Sequence, residues 1–228
     1  EKNYVLIIDE INRGNVSQIF GELITLIEED KRLGKAEALE VTLPYSKEKF
    51  GVPPNLHIIG TMNTADRSVE ALDAALRRRF SFEEMPPRPF LIETDGKLKE
   101  QKGILDTVDL PLILNTINKR IEKLLDKDHQ IGHSYFMSVT KLSELKEAFQ
   151  NKIIPLLQEY FFGDYGKIGL VVGKGFFKPV ESVQENFFAE FNDYDSSEFA
   201  ERTIYKIRDI AEMTEDDFKT AINDLLKK

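Results

Sequence analysis

The chain has 228 residues, of which 41% are hydrophobic and 31% charged, with a formal net charge of −9. Its length allows one or two domains, and no apolar stretch approaches the roughly 20 residues that cross a bilayer. A cytoplasmic protein that does not enter a membrane is therefore predicted. The lack of cysteine excludes disulfides, thiolate catalysis and Cys-ligated zinc, which fits a reducing compartment. The acidic balance argues against a surface uniformly attractive to nucleic acid, and any DNA contact is expected in other domains or on a partner.

The first predicted element is a strand over Tyr4 to Ile8, a continuous apolar run rich in β-branched residues. Such a run is typical of a strand covered on both faces in a parallel sheet. A helix is predicted after Asn15, a suitable N-cap, because apolar residues then recur at helical spacing. Its expected buried face comprises Val16, Ile19, Phe20, Leu23 and Ile27.

Glycines and prolines between residues 31 and 55 surround a short alternating segment, Leu39 to Leu43, and indicate a hairpin-like excursion. A second buried-type strand follows at Leu56 to Gly60. The next helix is expected to begin near Ser68 and to end in three arginines, whose charge complements the helix dipole. Its predicted apolar face comprises Val69, Leu72, Ala75 and Leu76. Phe80 and Phe82, which alternate with polar residues, suggest an edge strand.

Three closely spaced prolines, Pro86, Pro87 and Pro89, mark the expected end of the first domain. Beyond them, apolar residues at helical spacing predict a mainly helical domain. These are Ile113, Ile117, Ile121 and Leu124, then Leu142, Leu145 and Phe149, then the run Ile153 to Phe162. A last helix is predicted after Thr214 as its N-cap. We therefore divide the chain into an α/β part over 1–86, a helical part over 87–172 and a C-terminal extension over 173–228 of unassigned function.

Acidic residues follow the first predicted strand, and an asparagine follows the second. Because the carboxyl ends of parallel strands meet at one edge of a sheet, Asp9, Glu10 and Asn63 are expected near each other. Phosphoryl transfer to water needs a divalent cation and an oriented nucleophile. Asp9 can hold a water of Mg²⁺, Glu10 can polarise the attacking water, and Asn63 can sense the γ-phosphate. The plainer alternative is a strand that simply ends in acids.

Three segments make a more specific pattern: Ile8-Asp9-Glu10-Ile11-Asn12-Arg13, Gly60-Thr61-Met62-Asn63-Thr64-Ala65-Asp66-Arg67-Ser68 and Ala75-Leu76-Arg77-Arg78-Arg79-Phe80. In their order, spacing and residue identities, these segments resemble the McrB family, the GTPase subunit of methylation-dependent restriction systems. Looser similarity covers Gln130 to Phe136 and Leu156 to Phe162. The resemblance implies part of a P-loop NTPase core of the AAA+ type with parallel strands, followed by a mainly helical lid. It also implies a hexameric ring that uses Mg²⁺ and GTP, partners a McrC-type nuclease subunit and translocates DNA.

The resemblance also implies roles for individual residues. Asp9 and Glu10 match the Walker B pair, with Asp9 toward the metal, and Asn63 matches the sensor of the Asn-Thr-Ala-Asp signature. The other implied nucleotide-binding residues are Thr64, Asp66, Arg67 and His133. Asp66 could accept hydrogen bonds from guanine, organise the active site or subunit contact with Arg67, or cap a helix, and we favour the second interpretation. For His133 the alternative is a structural histidine that bridges loops.

Arg78 and Arg79 match the arginines that family members present to the nucleotide of the adjacent subunit, where a guanidinium offsets developing charge. The alternative is a solvated basic helix end. Arg77 is expected to be a spectator.

No Gly-x-x-x-x-Gly-Lys-Ser/Thr motif occurs in the sequence, since Gly173-Lys174-Gly175 lacks both the hydroxyl residue and the spacing. We expect that loop to precede Glu1 in a longer polypeptide, so the 228-residue chain alone is predicted to be inactive. Two other functions stay open from the sequence: an ATP-using remodelling factor of the MoxR type, and a ring scaffold that does not hydrolyse nucleotide.

Overall fold

The computed structural model describes residues 2–63, 65, 74–180, 199 and 203–227. The chain forms two compact units, Glu1–Glu84 and Met85–Lys228. Within the described ranges, every helix is too short or too polar to cross a membrane. The predicted helix start at Ser68, with Val69 and Leu72 of its apolar face, lies outside the described residues.

The first unit is built around a parallel pair of strands. Its elements are β1 (Tyr4–Ile8), α1 (Val16–Phe20), β2 (Val41–Thr42), β3 (Lys49–Phe50), β4 (Leu56–Gly60) and α2 (Ala74–Arg77). β1 pairs with β4 from Tyr4 opposite Leu56 to Ile8 opposite Gly60, so both strands end at the same edge. The two predicted buried-type strands, Tyr4 to Ile8 and Leu56 to Gly60, and the parallel α/β character are confirmed. β2 and β3 pair antiparallel, which confirms the hairpin.

The predicted helix after Asn15 is confirmed at its start and interrupted in its middle. The Asn15 side chain accepts a hydrogen bond from the Gln18 N–H at 3.0 Å, as an N-cap does. At Gly21 the backbone adopts φ 50°, a left-handed conformation that ends the α-helix, and the chain continues as a 3-10 helix over Gly21–Ile27. Ile27 is buried as predicted, but Ile19 is 72% exposed, so the prediction of a single buried face is wrong at Ile19.

The prediction that β1 is covered on both faces is wrong for this chain. The side chains from Tyr4 to Ile7 are between 44% and 67% exposed. The small core of this unit collects instead beyond the strand end, where Ile11, Ile27 and Leu76 are buried and Ile8 packs against them. The helical segments therefore cover the end of the parallel pair and leave the middle of β1 open.

Phe80 and Phe82 do not form the predicted edge strand. Phe80 packs against the small core, whereas Phe82 is 48% exposed. The Arg77 guanidinium lies 5.3 Å from the centroid of the Phe82 ring, a cation–π distance. The alternation of aromatic and polar residues thus reflects one partly buried ring, Phe80, and one ring that contacts a cation, Phe82.

The second unit is mainly helical, as predicted. Its elements are α3 (Phe90–Thr94), β5 (Ile104–Leu105), β6 (Val108–Asp109), α4 (Leu110–Leu124), α5 (Ser134–Met137), α6 (Leu142–Ala148), α7 (Ile154–Tyr160), α8 (Tyr165–Val172), β7 (Phe177–Pro179), β8 (Tyr205–Ile207) and α9 (Glu215–Leu226). A π-helical turn, Phe149–Ile153, joins α6 to α7. The predicted cap of the last helix is confirmed, since the Thr214 hydroxyl accepts from the Asp217 N–H at 3.1 Å.

One continuous core holds the second unit together. Phe149 stacks on Phe176 with ring centroids 5.3 Å apart, and Phe218 of α9 meets both rings edge-on. The Arg120 guanidinium on α4 donates to the carbonyls of Val171 (2.8 Å) and Lys227 (3.2 Å). Residues on both sides of position 172 therefore share the same apolar interior.

Candidate functional site

The carboxyl ends of β1 and β4 place the two predicted polar segments beside each other. The backbone pairing continues past the strands, because the Thr61 N–H donates to the Ile8 carbonyl (3.0 Å) and the Ile11 N–H to the Thr61 carbonyl (2.9 Å). The Thr61 hydroxyl donates to Asp9 Oδ1 and accepts from the Glu10 N–H at 3.2 Å. Asp9 and Glu10 are thus both tied to the neighbouring strand's end.

Glu10 lies at a sharp turn of the chain. Its backbone is left-handed, with φ 51° and ψ 48°, a conformation that is energetically unfavourable for most residues other than glycine. The next residues, Ile11–Arg13, form a 3-10 turn anchored by the buried Ile11. The Glu10 carboxylate pairs with Arg13 in an ion pair whose side chains are about half exposed. Because such an exposed pair contributes only about 0–1 kcal/mol, Glu10 can exchange partners readily.

Asn63 lies three residues past the end of β4 and is exposed. Its side-chain Oδ1 accepts a hydrogen bond from the Ala65 N–H at 3.0 Å, which makes an Asx-type turn. Since Oδ1 is held by the backbone, the amide NH₂ is the group with which Asn63 could donate to a ligand. Thr64, Asp66 and Arg67 lie outside the described residues.

The three consecutive arginines at the end of α2 and just beyond it lie in three different environments. Arg77 rests against the Phe82 ring, Arg78 is exposed, and the Arg79 side chain is only 5% exposed. Arg79 Nη2 lies 2.6 Å from Glu28 Oε1, within the same unit. Arg78 and Arg79 line an open cleft of about 490 Å³ together with Glu28 and Glu29. Of the two predicted finger residues, Arg78 is therefore the one presented to solvent.

His133 belongs to the second unit, at the start of α5. Its Nδ1 accepts a hydrogen bond from the Arg88 N–H at 3.2 Å, so the ring joins two segments of the backbone. The loop before it is fixed by the buried Asn118, whose side chain bonds both the N–H and the carbonyl of Ile131, at 2.7 and 2.8 Å. These contacts fit the structural interpretation of His133.

The structure adds two residues to the set that the sequence suggested. Thr61 bridges Asp9 and Glu10, and Glu28 holds Arg79. The signal for Thr61 was present in the strand pattern, because a register that puts Gly60 opposite Ile8 also puts Thr61 opposite Asp9. Within the described ranges, no group of three or more His, Cys, Asp or Glu side chains could enclose a metal ion.

Comparison with known proteins gives two matching family models. An AAA domain of the dynein-related subfamily matches residues 1–80, and the alpha-helical lid domain of McrB matches residues 109–169. The Type IV methyl-directed restriction enzyme EcoKMcrB subunit of Escherichia coli (strain K12) is 43% identical over 183 residues, which cover 72% of this chain and 38% of that protein. The Type II restriction enzyme BsuMI component YdiS of Bacillus subtilis (strain 168) is 29% identical over 211 residues, covering 86% of this chain and 60% of that protein. The chain thus spans less than two thirds of either relative.

Proposed function

We propose that this chain, which belongs to the McrB family of AAA+ proteins, supplies the Walker B strand, sensor and lid of a nucleoside triphosphatase in a restriction system. The nucleotide is GTP, with ATP as the alternative. Hydrolysis drives DNA translocation and leads to cleavage of DNA that carries a 5-methylcytosine-type modification. The observation that supports this proposal is the parallel pairing of β1 with β4, which sets Asp9, Glu10 and Asn63 beyond the same edge of the sheet.

The exposed Asp9 carboxylate fits a Mg²⁺ ligand. One of its oxygens is held by Thr61, which leaves the other to accept from a water of the ion. Mg²⁺ in such enzymes is bound by one or two carboxylates together with waters and phosphates, so a single Asp suffices beside a nucleotide. When bound, the ion neutralises charge on the phosphates. The role of Asp9 is to hold the ion, through its bound water, at a fixed place beside the phosphates.

Glu10 and Asn63 act on the attacking water. The Glu10 carboxylate leaves its exposed ion pair with Arg13, contacts the attacking water and polarises that water. Asn63, whose Oδ1 is fixed on the Ala65 N–H, donates from its amide to the water or to the γ-phosphate. The two side chains approach from neighbouring strand ends and together orient the nucleophile.

Nucleotide binding requires a phosphate-binding loop that this sequence does not contain. The test is calorimetry with GTP and Mg²⁺ on the 228-residue chain and on a longer polypeptide that supplies the loop. We expect saturable binding only for the longer polypeptide, and competition with ATP then decides which nucleotide is preferred. Clear saturation of the 228-residue chain would contradict the proposal.

The role of Glu10 is tested in the longer polypeptide by Glu10→Gln. Loss of the carboxylate should lower turnover by at least about 100-fold, while nucleotide stays bound because the phosphate contacts are intact. Glu48→Gln, in the exposed β2–β3 hairpin, is the matched control and should leave turnover unchanged. Equal turnover in Glu10→Gln and wild type would remove Glu10 from the mechanism and favour a ring scaffold that does not hydrolyse nucleotide.

Assembly completes the proposed site. Arg78 reaches the nucleotide of the adjacent subunit in a hexameric ring, whereas Arg79 holds the turn that presents it. A McrC-type nuclease subunit binds the ring and performs cleavage, and DNA is contacted by other domains or by that partner. Mass photometry of the longer polypeptide with a slowly hydrolysed GTP analogue should show hexamers, and a population that stays monomeric would contradict this assembly.

A further inference from the structure

Thr61 makes four hydrogen bonds with the end of β1 and the acidic turn that follows it. Its N–H donates to Ile8 and its carbonyl accepts from Ile11, on either side of the acidic pair. Its hydroxyl donates to the Asp9 carboxylate and accepts from the Glu10 N–H. A hydroxyl offers one hydrogen and two lone pairs, so these two bonds use its donor and one acceptor position.

The two hydroxyl bonds act on different parts of the site. The bond to Asp9 Oδ1 selects one orientation of a carboxylate that is otherwise exposed to solvent. The bond from the Glu10 N–H supports a backbone held at φ 51°, which is costly for a residue with a side chain. Because the Thr61 backbone is fixed by the ladder and its β-branched side chain is stiff, its hydroxyl is a rigid reference point.

We propose that Thr61 is a positioning residue, whose hydroxyl orients the Asp9 carboxylate toward a Mg²⁺-bound water and fixes the turn that aims Glu10. The inference rests on the proposed nucleotide hydrolysis. It assigns to Thr61 no contact with nucleotide or metal. Its effect passes through Asp9 and Glu10 alone.

The experiment uses the longer polypeptide with its phosphate-binding loop and compares Thr61→Val, Thr61→Ala and Thr61→Ser with wild type. Two quantities are measured: steady-state kcat and KM as a function of Mg²⁺, and nucleotide affinity by calorimetry with Mg²⁺ and with EDTA. Both hydroxyl-free variants should lose about 10-fold in kcat, the value of one hydrogen bond to a charged group. They should also need more Mg²⁺ for half-maximal rate, with unchanged nucleotide affinity in EDTA. Thr61→Ser keeps a hydroxyl and should stay close to wild type.

Thr42→Val is the matched control, since Thr42 is an exposed strand threonine in the β2–β3 hairpin. It should leave kcat, KM and the nucleotide affinities with Mg²⁺ and with EDTA unchanged. The inference is overturned if the two hydroxyl-free variants keep wild-type kcat and Mg²⁺ dependence, or if Thr61→Ser loses as much as Thr61→Val. Either result leaves the proposed function intact as long as the wild-type polypeptide hydrolyses nucleotide. Absence of hydrolysis by wild type refutes the proposed function itself.

Discussion

Arg78 and Arg79 are adjacent in sequence but should respond differently to removal. Arg79 pairs with Glu28 and is almost fully covered, so Arg79→Ala removes a shielded ion pair and should destabilise the chain by about 2 kcal/mol. Arg78 is exposed, and Arg78→Ala should leave the free energy of unfolding within about 0.5 kcal/mol of wild type. Urea denaturation of the 228-residue chain measures both. Equal stability of the two variants would mean that the Glu28 contact contributes nothing.

In the ring proposed above, Arg78→Ala should instead lower turnover by about 1000-fold, the lower end of the range for an arginine finger. Mixing Arg78→Ala subunits with Glu10→Gln subunits gives a sharper test. Some interfaces then combine an intact Glu10 with an intact Arg78 from its neighbour, so turnover should partly return. A mixture as inactive as its two components would contradict a finger that acts between subunits.

Two carboxylates at helix starts are expected to make the second unit sensitive to acid. The N–H and hydroxyl of Thr140 lower the pKa of Glu144 in the first turn of α6, and the Lys167 N–H lowers the pKa of Asp164 before α8. A carboxylate with a lowered pKa stabilises the fold at pH values above its unfolded pKa, about 4, and this stabilisation is lost as the pH falls through the folded value. The melting temperature should therefore be constant from pH 7 to about pH 5 and fall below about pH 4.

The double variant Glu144→Gln and Asp164→Asn retains acceptors at both positions but no titrating charge. Its melting temperature should fall less steeply between about pH 4 and pH 2 than that of wild type. Glu147→Gln, an exposed position on the same helix, is the control and should keep the wild-type slope. An unchanged slope in the double variant would show that other groups cause the acid transition.

The strands β1 and β4 and the caps at Asn15 and Thr214 were predictable because each depends on local sequence. The sequence did not predict the open middle of β1, since the apolar run is the same whether or not another element covers it. It also missed the break at Gly21, because a glycine within a helical pattern is compatible with continuation. The places of Asp9, Glu10 and Asn63 beyond the strand ends follow from the strand pattern, whereas the bond from Thr61 to Asp9 depends on side-chain geometry across the pair.

For the chain as a whole, the two units differ in how completely each buries its own apolar residues. The first unit has a small core of Ile11, Ile27 and Leu76 and leaves most of β1 exposed. The second unit encloses a large core that includes residues from α3 to α9. Stability is therefore expected to be concentrated in the second unit, since buried apolar area is the main stabilising term.

The contribution of the C-terminal residues to that core can be measured with a pair of phenylalanines. Phe218 on α9 is fully buried against Phe149 and Phe176, so Phe218→Ala should cost about 3–5 kcal/mol. Phe162, after α7, is 96% exposed, and Phe162→Ala should change stability by less than about 0.5 kcal/mol.

Residues 85–228 are the polypeptide for this experiment, with urea unfolding followed by tyrosine fluorescence and by circular dichroism. Because Phe218 shares one core with α4 to α8, its loss should shift a single cooperative transition seen by both probes. If residues 173–228 instead formed a separate extension, Phe218→Ala would shift a minor transition and leave the unfolding of α4 unchanged. The number of transitions therefore decides whether the last segment is part of the lid or an addition to it.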